Sequence, residues 1–212
     1  MQGVETKMTL GFLDRLRPRR DLARPAVFRG LSQARAYWEG LRQGSALPSR
    51  RAVDPRGLVG VLDRVFLADR IGRGLAQIRI AGSALEDFAA ADVRGLPVSC
   101  LFAAESRGQL AETLEKVFTD PAVAEIDLGS DRAPGSGVVA RLLLLPLADD
   151  AAGRLVLGVL GFADPVPARC KLQITSRREE QLVLDPAPAP RAMPQVAPIR
   201  RMGHLSLVHS AD

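Results

Sequence analysis

Histidine and cysteine are scarce in this sequence, and their positions limit the chemistry that it can support. The two histidines, His204 and His209, both lie within the last nine residues. A multi-histidine metal site is therefore not expected in the body of the chain. The two cysteines, Cys100 and Cys170, are far apart in sequence, which is typical of a protein from a reducing compartment rather than of a disulfide framework.

Carboxylates and glycines do not form a catalytic pattern either. The acidic pairs at 86–87, 149–150 and 179–180 are adjacent in sequence, and adjacent side chains do not converge on one substrate. No Gly-x-Ser-x-Gly turn is present, and the glycine-bearing segment 129–137 lacks the lysine and the following helix of a phosphate loop. We therefore predict no catalytic residue and no enzyme activity.

The basic charge of the chain lies at its ends. Residues 31–162 carry 15 basic and 16 acidic side chains, although the whole chain has a net charge of +5. Contact with nucleic acid or a membrane surface is therefore possible through the ends but is not favoured. No apolar run approaches the ~18 residues of a membrane-spanning helix, and Met1 to Leu10 lack the features of a secretory signal. We predict a cytoplasmic protein.

The hydrophobic pattern predicts an α+β domain. Leu31, Ala34, Trp38 and Leu41 recur at helical spacing, and Asp54-Pro55 is typical of a helix start. Further helices are predicted at 83–90 and 105–119, and strands at 64–70, 75–81, 122–128, 138–147 and 154–162. This order favours one antiparallel sheet with short helices on one face.

The composition divides the chain into three parts. Residues 1–30 form a basic N-terminal extension, and residues 31–164 form the predicted domain. Residues 165–212 form a proline-rich basic tail in which 172–175, 181–184 and 204–208 have a strand-like composition.

Several short motifs in the middle part resemble those of a PAS domain. They are Tyr37-Trp38, Pro48-Ser49-Arg50, Asp54-Pro55, Val65-Phe66-Leu67, Arg79-Ile80-Ala81-Gly82-Ser83 and Val93-Arg94-Gly95-Leu96-Pro97. The set is similar to a PAS family known mainly from small stand-alone proteins of alphaproteobacteria. The resemblance implies a five-stranded antiparallel sheet, short helices across one face and a cavity between them that binds small molecules in many PAS domains. It also implies dimerisation through the other face of the sheet.

Haem and flavin are not expected as cofactors. A haem-binding PAS domain usually supplies an axial histidine, and residues 31–164 contain none. Flavin-binding relatives place a reactive cysteine three residues after the glycine of the turn, beside asparagine and arginine. Here Cys100 follows Gly95 by five residues, and the chain contains no asparagine.

Strand alternation predicts which residues line the interior. If Arg79, Arg141 and Arg154 face solvent, the residues that alternate with them face the helices. The predicted interior set is Ile78, Ile80, Phe88, Leu101, Phe102, Leu142, Leu144, Leu157 and Val159. A filled core is favoured here, and a pocket for a small apolar ligand is the alternative.

The opposite face of the sheet is predicted to be apolar and in need of a cover. Its residues are Leu143, Leu145, Leu147, Val156, Leu160 and Phe162. The helix at 31–43, the C-terminal strands or a second subunit would cover it, and we predict a homodimer.

These inferences together predict a non-enzymatic sensory or protein-interaction module. It would signal to a separate partner protein, with regulation by a small apolar ligand in its core as an option. The alternative is a ligand-free adaptor or scaffold whose tails contact a partner, a membrane surface or nucleic acid.

Overall fold

The computed structural model describes residues 28–44, 46–132, 137–148, 154–163 and 169–184. The α-helices in these ranges are α1 (Arg29–Leu41), α2 (Ser83–Ala89) and α3 (Arg107–Thr119). The strands are β1 (Val65–Gly72), β2 (Leu75–Ala81), β3 (Ala122–Ser130), β4 (Ala140–Ala148), β5 (Arg154–Phe162) and β6 (Leu172–Gln181). None of these helices is long and apolar enough to span a bilayer. The predicted N-terminal extension up to residue 27, the 149–150 turn and both histidines lie outside the described residues.

The strands form one antiparallel sheet in the order β2-β1-β5-β4-β3-β6. The predicted α+β class is confirmed, but the sheet has six strands instead of five. The additional strand, β6, pairs with β3 from Leu172 opposite Ser130 to Gln181 opposite Ala122. The sheet therefore continues past the predicted domain boundary at residue 164, and the strand-like segments at 172–175 and 181–184 contribute to this ordered edge.

The residues Asp54, Pro55 and Tyr37 fix the segment between α1 and β1. The Asp54 carboxylate accepts a hydrogen bond of 2.9 Å from the backbone N–H of Arg56, and Pro55 opens the 3₁₀ turn Pro55–Leu58. This is the capping role predicted for Asp54. The hydroxyl of Tyr37 also accepts a hydrogen bond of 2.8 Å from the Asp54 backbone N–H, so α1 and this turn are joined.

The sheet separates two hydrophobic clusters. The inner cluster lies between the sheet and α2 and α3, and it includes Phe66, Ile78, Leu110, Leu142 and Leu144. The outer cluster lies on the opposite face under α1. Because β4 and β5 are buried on both faces, these strands are apolar apart from Arg141 and Arg154 near their ends and do not alternate with polar residues.

The predicted orientation of β5 is wrong. Cross-strand neighbours in an antiparallel ladder share a face, and the ladder pairs Leu145 with Leu157 and Leu143 with Val159. Leu157 and Val159 therefore belong to the outer cluster, not to the interior set. Val156 and Leu160 belong to the inner cluster instead. Arg154 could not indicate the orientation because it lies at the exposed end of the strand.

Phe162 also differs from the prediction. It was assigned to the outer face with Val156 and Leu160, but it packs against the inner cluster. Its ring lies 5.0 Å from that of Phe88, centroid to centroid. This contact follows from the same reversed orientation of β5.

Ile80 is not an interior residue either, because β2 contains a bulge. Leu67 pairs with Ile80, but the next residue of β1, Ala68, pairs with Ile78. The extra residue between them reverses the alternation of side chains. As a result Ile78 is fully buried, whereas Ile80 is 49% exposed.

The apolar outer face is covered within one chain. Leu31, Ala34 and Trp38 of α1 are buried against it, together with Leu182, which follows β6. The indole N–H of Trp38 donates a hydrogen bond of 3.0 Å to the carbonyl of Pro146. Leu143, Leu145 and Leu147 are consequently at most 3% exposed. Two of the three predicted covers, the first helix and the C-terminal strand region, are thus present.

Candidate functional site

The middle of the inner face is filled by an aromatic side chain. Phe66 on β1 lies opposite Gly158 on β5, and its ring occupies the space where a side chain at 158 would begin. A Cβ added at Gly158 would lie 2.0 Å from the Cζ atom of Phe66. Glycine is therefore required at 158 for the ring to lie against the sheet.

Six of the nine residues predicted for the interior do meet in the inner cluster. They are Ile78, Phe88, Leu101, Phe102, Leu142 and Leu144. Each is at most 6% exposed, and they pack with Phe66 as core residues. Whether any of them contacts a ligand stays a prediction.

A pocket opens beside this core, at the flank of the inner face. It has a volume of about 310 Å³ and is lined by residues from the segments 88–93, 96–101 and 169–171. We call it the flank pocket. Its apolar wall includes Phe88, Val93, Leu96 and Leu101, and the cationic residues Arg169 and Lys171 complete the lining on the side of the 169–171 segment. Mostly apolar pockets with a few polar groups are typical of small-molecule sites, and this one is at the lower end of their usual size.

Backbone hydrogen bonds fix the walls of the flank pocket. The N–H of Gly95, which has a φ of +78°, donates to the carbonyl of Ile78 over 2.8 Å. The N–H of Arg169 donates to the carbonyl of Phe88 over 3.1 Å. The ammonium group of Lys171 donates to the carbonyl of Cys100 over 2.6 Å. The three wall segments are thus tied to the sheet or to one another, so the pocket is preformed.

The backbone beside the flank pocket adopts left-handed conformations, which are unfavourable for residues other than glycine. Among the described residues, Ala90 and Arg169 are the two non-glycine residues with positive φ, at 51° and 59°. Ala90 lies between two lining residues, and Arg169 is itself in the lining. Such strained residues tend to cluster at functional sites. Both positions that the structure shows with this conformation lie at the border of this pocket.

The flank pocket is also positively charged. None of the described residues in its lining is acidic, and neither Arg169 nor Lys171 forms an ion pair with a carboxylate of the described residues. Both side chains belong to exposed residues. The pocket therefore offers two positive charges to a ligand.

Cys100 lies half-buried in the lining of the flank pocket. Burial raises the pKa of its thiol, and the positive charges of Lys171 and Arg107 act in the opposite direction without reversing the shift. The thiol is thus protonated at neutral pH and is not an activated nucleophile. Its position makes it a reporter of whether the pocket is occupied.

Two further pockets differ from the flank pocket because their charges are compensated. One, next to α1 and β6, is lined by two arginines and three glutamates. The other, next to α3, is lined by Arg73 and Lys116 together with Glu112 and Glu115. Acidic and basic groups there already neutralise one another, which leaves less electrostatic attraction for a charged ligand.

The acidic side chains mainly join one element to another. Glu115 on α3 accepts hydrogen bonds from Arg70 and from the backbone N–H of Gly74, at 2.7 and 2.8 Å. The bond from Gly74, with that from Arg70, lowers the pKa of Glu115 below its ordinary value despite some desolvation.

Within the described ranges no three His, Cys, Asp or Glu side chains gather as a set of metal ligands.

The acidic pair Glu179-Glu180 is divided between the two faces of the sheet. Glu179 accepts hydrogen bonds from Lys116 and Thr113 of α3, at 2.5 and 3.2 Å, whereas Glu180 pairs with Arg35 of α1. The two carboxylates thus bond to different helices, although both residues line the pocket next to α1 and β6; that they do not act on one substrate stays a prediction.

Sequence reasoning missed the residues that complete the flank pocket. Arg169, Cys170 and Lys171 were assigned to the tail because prolines surround them. Their proximity to Phe88 and Cys100 depends on the pairing of β6 with β3, and no local pattern indicates that pairing. The strand-like composition of 172–175 was the one available signal.

Comparison with known proteins assigns a family to most of the part of the chain that the structure describes. A family model described as a PAS domain matches residues 28–161, which is more than half of the chain. No curated protein matches the chain. The matched region extends from the residue before α1 to the penultimate residue of β5, so β6 and the cationic wall of the flank pocket lie beyond it.

Proposed function

Because the chain belongs to the PAS domain family, we propose that it is a cytoplasmic sensory module that works by binding and protein contact rather than by catalysis. The flank pocket is the observation that carries this proposal. It is concave and preformed, and its lining joins an apolar wall to two cationic residues whose side chains form no ion pair with a described carboxylate; the Asp131 carboxylate accepts its hydrogen bond from the backbone N–H of Lys171. These are the features of a recognition site for a small molecule.

The signal would pass to a separate partner protein by surface contact. The outer face of the sheet, which was predicted for such contact, is buried under α1. On that side of the molecule, a partner can therefore reach only the exposed side of α1. Its residues include Ser32, Ala36 and Gly40, which are small and exposed. A partner would therefore meet α1 and not the sheet itself.

Mass spectrometry of the isolated full-length chain tests the sensory proposal. A small molecule released on denaturation, and reduced in Ala91→Trp protein, would support it, because the new indole would fill the flank pocket next to exposed Ala91. Ala36→Trp is the matched control, since it makes the same change on α1 outside the pocket. Absence of any bound molecule in the protein from its native cell would favour the ligand-free adaptor instead, and conversion of a released molecule by the pure protein would refute a role restricted to binding.

Two further expectations accompany this proposal. We expect purified protein to lack the absorption bands of haem and flavin.

The predicted homodimer is no longer supported by an uncovered apolar face, because that face is covered within one chain. It stays a prediction, and a mass corresponding to a monomer at micromolar concentration in light scattering would contradict it.

A further inference from the structure

We infer that the flank pocket selects an amphipathic anion, namely a small carboxylate with an apolar body. This inference rests on the proposed function, because it names the ligand class for the same site. It goes beyond that function because it predicts which of several small molecules the pocket prefers.

The apolar wall explains the body of the ligand. Phe88, Val93 and Leu101 are each at most 6% exposed and continue into the inner cluster, while Leu96 is 42% exposed at the edge. An alkyl or aromatic group placed here would remove apolar surface from water on both sides of the contact. Each buried CH₂ would contribute to binding in the usual way.

The two cations explain the charged group of the ligand. Arg169 and Lys171 are separated by one residue, and both belong to the lining of the pocket. A carboxylate between them would form charge-assisted hydrogen bonds with groups that now lack an anionic partner among the described side chains. The other two pockets already contain carboxylates next to their cations, so the same ligand gains less there.

The backbone conformation of Arg169 is consistent with this role. Its positive φ of 59° is unfavourable for arginine, and the hydrogen bond from its N–H to Phe88 helps to hold it. The chain thus places an arginine in the pocket lining at a position where glycine or asparagine would be less strained.

Three probe molecules distinguish the contribution of the apolar body from that of the carboxylate. Octanoate carries both the apolar body and the carboxylate, octanol carries the body alone, and acetate carries the carboxylate alone. We expect calorimetry on the full chain to give the highest affinity for octanoate, used below its micelle concentration. Octanoate should also slow alkylation of Cys100, measured by peptide mass, because this thiol lies in the same lining.

Variants of the two cations test their contribution. Arg169→Gln and Lys171→Gln should each weaken octanoate binding by about 1.5- to 5-fold, the range of an exposed ion pair. Neither change should affect octanol. Arg154→Gln, which removes an exposed charge at the start of β5, outside the lining, should leave octanoate binding unchanged. Higher salt should weaken octanoate binding and not octanol binding.

The outcomes distinguish the inference from the proposed function. Equal affinity for octanoate and octanol, with Cys100 protected by both, would overturn the inference and leave the flank pocket as a ligand site. Octanoate binding that the double variant Arg169→Gln/Lys171→Gln does not weaken would overturn it as well. If no probe binds, the inference fails, and the search for a co-purified molecule decides the proposed function separately.

Discussion

Side chains on β6 show how single residues join the layers of this molecule. Glu179 accepts hydrogen bonds from Lys116 and Thr113 of α3. Burial raises the pKa of Glu179, but these hydrogen bonds outweigh it, so the net pKa lies below its ordinary value. A carboxylate with a lowered pKa stabilises the native state at pH values above the unfolded pKa. That contribution is lost as the pH falls through the native pKa.

Glu179→Gln should therefore change how stability depends on pH. Unfolding by urea, followed from neutral pH to below about pH 4, should show a smaller loss of stability for the variant than for the original chain. Glu112→Gln on α3 is the control, because that carboxylate is mostly exposed. Parallel pH profiles for Glu179→Gln and the original chain would contradict this assignment.

The contact between Gly158 and Phe66 gives a second prediction at the same scale. Gly158→Ala should destabilise the fold by about 1–3 kcal/mol, because the new methyl group would overlap the phenyl ring. In a Phe66→Leu background the same change should cost clearly less, since the ring is gone. Equal costs in both backgrounds, measured by denaturant unfolding, would exclude the contact.

Gly40→Ala is the matched control for this experiment. A Cβ at Gly40 would meet nothing within 4 Å, and the residue lies inside α1. Alanine should therefore be neutral or stabilise the helix by up to about 1 kcal/mol.

Among the elements, α1 has the largest effect on what the sheet exposes. Its buried residue Trp38 both fills space in the outer cluster and satisfies the carbonyl of Pro146. Its ion pair from Arg35 to Glu180 lies near the surface, where such pairs contribute little. Packing rather than charge therefore holds the helix on the sheet.

Two variants compare these contributions. Trp38→Ala should lower the free energy of unfolding by about 3–5 kcal/mol and increase binding of a hydrophobic dye, because it opens the outer face. Arg35→Ala should cost less than about 1 kcal/mol. Similar losses for the two variants in urea unfolding would show that charge, not packing, attaches α1.

The elements also show where sequence reasoning succeeded and failed. The Asp54-Pro55 start, α1 and the strands β1–β5 were predictable, because each has its own period, cap or breaker. The face to which β5 directs Leu157 was not predictable, since the strand is buried on both sides and its one polar residue, Arg154, lies at the exposed end where it does not mark the orientation. The bulge that exposes Ile80 depends on its partner strand and is likewise invisible in the sequence.

At the scale of the whole molecule, the ordered unit is larger than the region that the family model matches. The match ends at residue 161, yet β6 adds Leu172, which is fully buried, to the inner cluster. The flank pocket also needs residues from beyond the match, so its cationic wall could not be predicted by resemblance or by local pattern.

A chain that ends at Ala163 tests this view of the domain. The truncation removes β6, exposes the edge of β3 and opens the inner cluster where Leu172 packs. We expect a lower melting temperature and a tendency to associate through the free edge. An unchanged melting temperature with a monomeric mass would show that β6 is dispensable for the fold.

The position of β6 has a mechanical consequence for the molecule. The strand begins next to Lys171 in the flank pocket, and roughly 25 Å further along it Glu179 bonds to α3 and Glu180 pairs with α1, on opposite sides of the sheet. If the register of β6 against β3 shifted by one residue, Glu179 and Glu180 would exchange faces, and their contacts with α3 and α1 would be lost together. The strand that starts at the flank pocket is thus the element that contacts helices on both faces of the sheet.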